Sequence, residues 1–362
     1  MKSIHKVIFG NSQNLKNIED ESVEMVLTSP PYPMIEMWDN VFSKQNKKIK
    51  TALEKNDGNR AFELMHEVLD PIWDHAYRVL KPGCFACINV GDATRTIDGH
   101  FRLYSNHARI LTKCLSIGFS NLPALIWRKQ TNAPNKFMGS GMLPAGAYVT
   151  LEHEFVLVLR KRNKRVFKKP DEKLLRNQSA FFWEERNKWF SDVWWDLKGV
   201  SQTLNHKDVR KRSGAYPFEL AYRLINMYSV KGDTVLDPFL GTGTTTLAAI
   251  SSSRNSIGIE IDRDLEQVVF DTITKDVVNK CNEYIKQRIR NHLSFVKERK
   301  KLKGDNAFKH ANENYNFPVM TRQETKLLLN YIASLTILNK RSIQIDYSDE
   351  PVIDVNDLNF LF

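Results

Sequence analysis

The chain has 362 residues, enough for one large α/β unit with an insertion or an extension, and its core needs neither a disulfide nor a metal for stability. Its 53 Lys and Arg against 42 Asp and Glu give a formal charge of +11; without a long apolar span, this points to nucleic acid rather than to a membrane surface. Four cysteines suit a reducing compartment, and Met1 to Gly10 lacks the apolar stretch and cleavage site of a secretory leader, so a cytoplasmic, nucleoid-associated protein is expected.

Lys6 to Phe9 reads as a strand, with Gly10-Asn11-Ser12 turning away from it. The apolar run Val23 to Leu27 predicts a second strand, and it ends in Thr28-Ser29-Pro30-Pro31-Tyr32. Two prolines fix φ and remove donors, so Pro30 and Pro31 hold this turn rigid and leave the Pro30 carbonyl as an acceptor. Ser29 adds a hydroxyl and Tyr32 an aromatic face, a set able to grip the amino group of a nucleobase that has left its stack. Lys44, Lys47, Lys48 and Lys50 follow, and suggest a flexible loop that closes over a nucleic acid.

Apolar residues at helical spacing from Arg60 to Leu80 predict an amphipathic helix that Lys81-Pro82-Gly83 ends. The strand Phe85 to Val90 comes next. Cys84 and Cys87 sit three apart on it and point to opposite faces; with no second Cys-x-x-Cys, they read as buried structural residues rather than metal ligands. A helix over Asn106 to Ile117 and apolar runs at Leu122 to Trp127 and Glu154 to Leu159 complete an alternation that predicts a doubly wound, mostly parallel sheet.

The alternation breaks at Arg160, Lys161, Arg162, Lys164, Arg165, Lys168 and Lys169. Trp183, Trp189, Trp194 and Trp195 then arrive amid further charge up to Arg210, Lys211 and Arg212. Cations interleaved with aromatics meet the needs of phosphate neutralisation and base contact, so residues 160–213 read as an inserted target-recognition region. Regular order resumes with a helix from Phe218 to Tyr228, a strand at Thr234 to Leu236, a helix from Thr244 to Ser251 and a strand at Ser256 to Ile261. Beyond Asp264 the chain is expected to be helical and basic through Lys303, then irregular and acidic. The domain reading is a catalytic half (1–159), the insertion (160–213), a cofactor half (214–270) and a helical extension (271–362).

Asp237-Pro238-Phe239-Leu240-Gly241-Thr242-Gly243-Thr244-Thr245 leaves a strand and opens a helix, the position where α/β sheets bind ligands. Gly241 and Gly243 permit a tight turn and close approach. A Walker loop would need Gly-Lys-Ser/Thr and the dinucleotide fingerprint a glycine at 246, which is Thr246, so neither phosphate motif fits. Glu260 ends the next strand, placed to accept hydrogen bonds from two ribose hydroxyls.

Taken in this order, the motifs resemble those of a DNA amino-methyltransferase that uses S-adenosylmethionine, of the β group in which the catalytic motif precedes the cofactor motif. The resemblance runs over about residues 5 to 265. Asp237 to Thr245 is similar to the family's cofactor loop, Glu260 to its ribose-binding acid, Pro217-Phe218-Glu219-Leu220 to a cofactor-flanking helix start, and Asn11-Ser12 to the segment beside the adenine. Leu80 to Gly83, Gly91-Asp92 and His153-Glu154 also follow the pattern. Asn11 departs from the Asp of many members, and Cys84 from a glycine.

The resemblance implies a Rossmann-like methyltransferase fold, direct methyl transfer to an exocyclic amine without a covalent enzyme intermediate, double-stranded DNA as partner, no metal, and a companion restriction endonuclease. The implied catalytic residues are Ser29, Pro30, Pro31 and Tyr32. Those implied for the cofactor are Asn11, Ser12, Pro217, Asp237, Phe239, Gly241, Gly243, Thr244, Thr245 and Glu260. Within the family Ser at the first motif position goes mostly with cytosine N4 and Asp with adenine N6, so Ser29 favours cytosine. Adenine N6, an RNA substrate and a catalytically silent DNA binder are the rival readings.

Overall fold

In the computed structural model, which describes residues 1–129, 138–199 and 216–350, ten strands build one sheet. These are β1 (Lys2–Phe9), β2 (Val23–Thr28), β3 (Leu80–Val90), β4 (Phe119–Arg128), β5 (His153–Lys161), β6 (Val193–Trp194), β7 (Thr234–Asp237), β8 (Asn255–Glu260), β9 (Ile332–Asn339) and β10 (Ser342–Tyr347). Their spatial order is β6-β4-β5-β3-β2-β7-β8-β1-β10-β9. The centre, from β3 through β2, β7 and β8 to β1, is parallel, and antiparallel β5 and β10 flank it. Every residue of β2 is buried, as a strand covered on both faces requires.

The helices are α1 (Asp39–Gln45), α2 (Lys47–Glu54), α3 (Gly58–Val79), α4 (Asn106–Ile117), α5 (Pro170–Gln178), α6 (Trp183–Trp189), α7 (Phe218–Tyr228), α8 (Thr244–Ser251), α9 (Glu266–Thr274) and α10 (Val277–Lys303). On one face of the sheet α3 packs Met65, Leu69 and Trp73 into a core that includes Cys84. On the other, α7 and α8 close over Cys87, Trp127 and Trp194. The two cysteines therefore occupy opposite faces, as their spacing predicts. All four cysteines are free and buried, and burial pushes the Cys84 thiol up to about 11.

Four segments differ from their sequence reading. Lys81-Pro82-Gly83 lies inside β3, because α3 already stops at Val79. Gly83 adopts φ +82, where a Cβ would stand 2.3 Å from the Arg165 backbone nitrogen, so only glycine lets these two stretches touch. Lys44 to Lys50 belong to α1 and α2 rather than to a loop; buried Phe42 and Ile49 anchor them.

Residues 160–199 are woven into the sheet domain instead of standing apart. Lys161 is buried and its ammonium donates to the carbonyls of Leu80 (2.8 Å) and Arg78 (3.3 Å), while Arg165 forms a two-pronged pair with Asp233. Trp189 and Trp194 are core residues, and β6 extends the sheet beside β4. Trp189 and Trp194 supply apolar cover to a sheet face, which mixed charge in the sequence conceals, whereas Trp195 is exposed. Finally, the carboxyl-terminal region is helical through Lys303 as expected, but β9 and β10 then form a hairpin on the outer edge of β1. Its period-two burial, with Ile343, Ile345 and Tyr347 inward, is the strand signal. Among the described residues no helix is long and apolar enough to cross a membrane.

Candidate active site

The parallel strands β2, β3, β7 and β8 deliver Thr28, Val90, Asp237 and Glu260 to one end of the sheet. A cavity of about 410 Å³ opens there. β7 enters next to β2, so two peptides far apart in the chain become the two walls of this space. Ser29, Pro30, Pro31 and Tyr32 line one wall; Asp237, Phe239, Gly241, Thr244, Thr245 and Glu260 line the other, with Asn11 and Ser12 beside them.

On the first wall Ser29 Oγ lies 3.0 Å from the Tyr32 hydroxyl, which donates to Glu154 Oε2 at 2.9 Å. Asn89 Nδ2 donates to the same carboxylate oxygen (2.7 Å) and to the Tyr32 oxygen (3.1 Å). Lys129 Nζ closes the set on Glu154 Oε1 at 2.8 Å. Burial, then the Glu154 charge, push the Tyr32 phenol well above its usual value. Tyr32 thus anchors the turn through its hydroxyl as well as presenting its ring to the cavity.

On the second wall Asp237 is almost fully buried. It accepts from Thr28 Oγ1 (2.6 Å), the Phe239 amide (3.0 Å) and Thr245 Oγ1, and Tyr216 lies at its edge. Burial raises its pKa against these bonds. The Glu260 carboxylate accepts from the amides of Gly241 and Asp262, both at 2.8 Å, and burial lifts it to about 7. Gly241 has φ +57, and the space a Cβ would take there is open, leaving bare backbone toward the cavity. Ser12 Oγ donates to the Pro238 carbonyl and so ties the turn after β1 to this loop.

Two of the residues expected at the cofactor lie behind the cavity rather than on it. Pro217 caps the start of α7, and Gly243, at φ +91, caps α8 with its α-carbon facing Ile273. The basic run is displaced further. β5 is antiparallel to β3, so its first residues, His153 and Glu154, meet the cavity, while Arg160 pairs with Phe85 at the other end of the sheet. Five residues from Phe155 to Arg160 carry the strand about 17 Å away. Arg160, Lys161, Arg162, Lys164, Arg165, Lys168 and Lys169 therefore surround the amino ends of the strands, remote from the cavity mouth. Arg210, Lys211 and Arg212 lie outside the described residues.

Several residues of the site escaped the sequence reading. Asn89, buried behind the cavity wall, carries a weak signal, a polar residue within the apolar strand run; the cavity residues Lys129, Trp38, Tyr216 and Ile261 carry none. Near the mouth, a small ribbon pairs Met138–Gly139 with Ala147–Tyr148 and carries the exposed apolar side chains Met142, Leu143 and Val149. Among the described residues no cluster of His, Cys, Asp and Glu is arranged to hold a metal.

A family model described as DNA methylase matches residues 23–271. The chain is 49% identical over 350 residues to the type II methyltransferase M.MthZI of Methanothermobacter thermautotrophicus, covering 96% of each chain. It is also 49% identical over 280 residues to the type II methyltransferase M.MjaI of Methanocaldococcus jannaschii, covering 74% of this chain and 91% of that one. Among solved structures, a putative DNA modification methylase from Thermus thermophilus, complexed with S-adenosyl-L-methionine, superposes with a TM-score of 0.59 at 28% identity, over 75% of this chain and 94% of the other. The cytosine-N4-specific PvuII DNA methyltransferase shares the fold, with a TM-score of 0.51 at 18% identity, over 77% of this chain and 93% of that one.

Proposed function

Because this chain belongs to the DNA methylase family, we propose that it moves the methyl group of S-adenosylmethionine to the exocyclic N4 of a cytosine flipped out of duplex DNA. The observation that carries this reading is a single cavity with two unlike walls, an amine-gripping turn facing a ribose-binding acid across about 410 Å³. When bound, S-adenosylmethionine supplies an activated methyl group. Of the residues lining the cavity, Glu260 would accept from its ribose hydroxyls, Phe239, Ile261 and Leu265 would offer apolar surface to the purine, and Asn11 would hydrogen-bond the edge of the ring. The bare backbone at Gly241 gives the room for this fit.

Ser29 Oγ and the Pro30 carbonyl accept from the target amine and turn its lone pair toward the methyl carbon. Orientation of this kind supplies much of the acceleration. A covalent route through carbon 5 of the base would need a thiol in the cavity, and the four cysteines are buried in the core. The neutral Ser29, in place of an acid, favours cytosine N4 over adenine N6.

DNA approaches the carboxyl end of the sheet. Val41 and Gln45 of α1 line the cavity, which puts the exposed Lys44, Lys47, Lys48 and Lys50 beside its mouth as phosphate contacts. The ribbon bearing Met142 and Leu143 stands on the same side and suits insertion into the stack beside an extruded base. The basic residues from Arg160 to Lys169 do not share this face. Close likeness to type II methyltransferases supports pairing with a restriction endonuclease of the same specificity.

Nucleoside mass spectrometry of duplex DNA treated with protein and S-adenosylmethionine tests the reaction. N4-methylcytosine is expected. N6-methyladenine in its place would move the assignment to adenine, and cofactor binding without methylation of any duplex DNA would overturn the reaction.

A further inference from the structure

The hydrogen bonds behind Ser29 run in one direction, and we propose that they form a proton path from the target amine to Glu154, with Tyr32 as the link. The inference rests on the reading of Ser29 as the amine's partner and adds the group that receives the proton.

A carboxylate only accepts. Tyr32 lies 2.9 Å from Glu154 Oε2 and so donates its single proton there. Its oxygen can then only accept, from Asn89 Nδ2 at 3.1 Å and from Ser29 Oγ at 3.0 Å. The Ser29 proton therefore points inward; one lone pair of its oxygen receives the Asn89 amide at 3.5 Å, and the other is left for the cavity. The amide of Asn89 reinforces this polarity. Its atom at 2.7 Å from a carboxylate oxygen must be the nitrogen, while its own Oδ1 has no partner despite full burial. Lys129 holds the other carboxylate oxygen.

Glu154 is 7% exposed, and a carboxylate so placed is costly unless paired. The strand that passes it leaves room for the path: a Cβ on Gly91 would stand 3.0 Å from Tyr32 Cε2 and 3.3 Å from Glu154 Cγ. In the transfer the amine nitrogen bonds the methyl carbon and the sulfonium sulfur keeps the pair of the broken bond. The amine proton then passes to Ser29 Oγ, the Ser29 proton to the Tyr32 oxygen, and the Tyr32 proton to Glu154 Oε2, which returns it to solvent as the product leaves. Ser29 touches the substrate; Tyr32 and Glu154 are positioning residues that act through it.

Glu154→Gln keeps the size of the side chain and reverses the polarity. Lys129 retains the amide oxygen, so the amide nitrogen faces Tyr32, whose proton then turns to Ser29 and turns the Ser29 proton toward the amine. Tyr32→Phe interrupts the path and keeps the ring. The test measures the single-turnover rate at saturating S-adenosylmethionine, together with cofactor affinity by calorimetry, for both variants and the double variant. Each single change should slow the step about 100-fold, within the usual range for assisted proton transfer. Cofactor affinity should stay within about twofold, and the double variant should be no slower than the worse single one. A wild-type rate in Glu154→Gln, or a double variant slowed by the product of the two losses, would overturn the path while leaving the methyltransferase reading intact. A wild-type protein that methylates no DNA amine would overturn both.

Discussion

Thr28 Oγ1 donates to Asp237 Oδ1 at 2.6 Å in the floor of the cavity, and this buried bond clasps the strand that leads into Ser29 to the strand that leads into Gly241. Thr28→Val keeps the shape and leaves one carboxylate lone pair unmet, at a cost of about 1 to 3 kcal/mol. Asp237→Ala removes the partner of Thr28, Thr245 and the Phe239 amide together. Its melting temperature and its cofactor affinity are expected to fall in parallel, and both more than in Thr28→Val. An unchanged melting temperature in Asp237→Ala, read by calorimetry, would show that the carboxylate has no part in holding the loop.

Ser29→Ala removes the hydroxyl that faces the amine but no bond to the second wall. The expected result is a fall in turnover of about 100-fold or more with cofactor affinity unchanged, measured by methyl transfer and calorimetry side by side. A loss confined to cofactor binding would assign Ser29 to the other half of the site.

Glu260 gives the site a pH dependence whose sign follows from its environment. Burial raises its folded pKa to about 7 from 4.5, so between those values the ligand-free protein holds a proton that the unfolded chain releases. On account of this group, stability without ligand decreases as the pH climbs from about 4.5 to 7. The ionised form is the acceptor for the ribose, so cofactor affinity should increase over the same climb and level off above about 7. Thermal unfolding of the ligand-free protein and titration calorimetry with S-adenosylmethionine, each across pH 5 to 8, check the two trends, and Glu260→Gln should flatten both.

Salt dependence separates the two basic regions. Changing Lys44, Lys47, Lys48 and Lys50 to Gln should lower the slope of log affinity for duplex DNA against log salt by about 3 to 4, as each lost phosphate contact removes close to one unit. The same change at Lys164, Lys168 and Lys169 should leave the slope alone. The opposite pattern would return DNA to the far end of the sheet.

Met142→Ser with Leu143→Ser should weaken methylation of paired DNA and leave cofactor affinity as it was. If these side chains fill the gap left by an extruded base, a mismatch at the mapped target should restore much of the rate, because an unpaired base is cheaper to extrude. Equal losses on paired and mismatched duplexes would argue for an ordinary surface contact.

The two peptides that face each other across the cavity were legible because each combines residues of unusual backbone behaviour with a reactive side chain: prolines around Ser29, glycines before Thr244. The network that links Ser29 to Glu154 was not. Its members come from the turn after β2, the end of β3, the end of β4 and the start of β5, and only sheet pairing brings them within hydrogen-bond reach. The place of the basic segment in the sheet was hidden for a related reason. Composition reports charge but not which end of a strand carries it, and β5 runs against its neighbour. The hairpin β9–β10 was hidden because the acidic residues after it outweighed the short alternation of Ile343, Ile345 and Tyr347 in β10.

The Tyr347 amide donates to the Met1 carbonyl at 2.9 Å, so the first strand and the last lie zipped together on the sheet. A chain rewired with its ends linked there and reopened between Trp194 and Tyr216 would be translated with Gly241 ahead of Ser29, yet every strand would keep its neighbours. Methyl transfer by such a permuted enzyme would show that adjacency of β2 and β7, and not the order of the two motifs along the chain, is what the site requires.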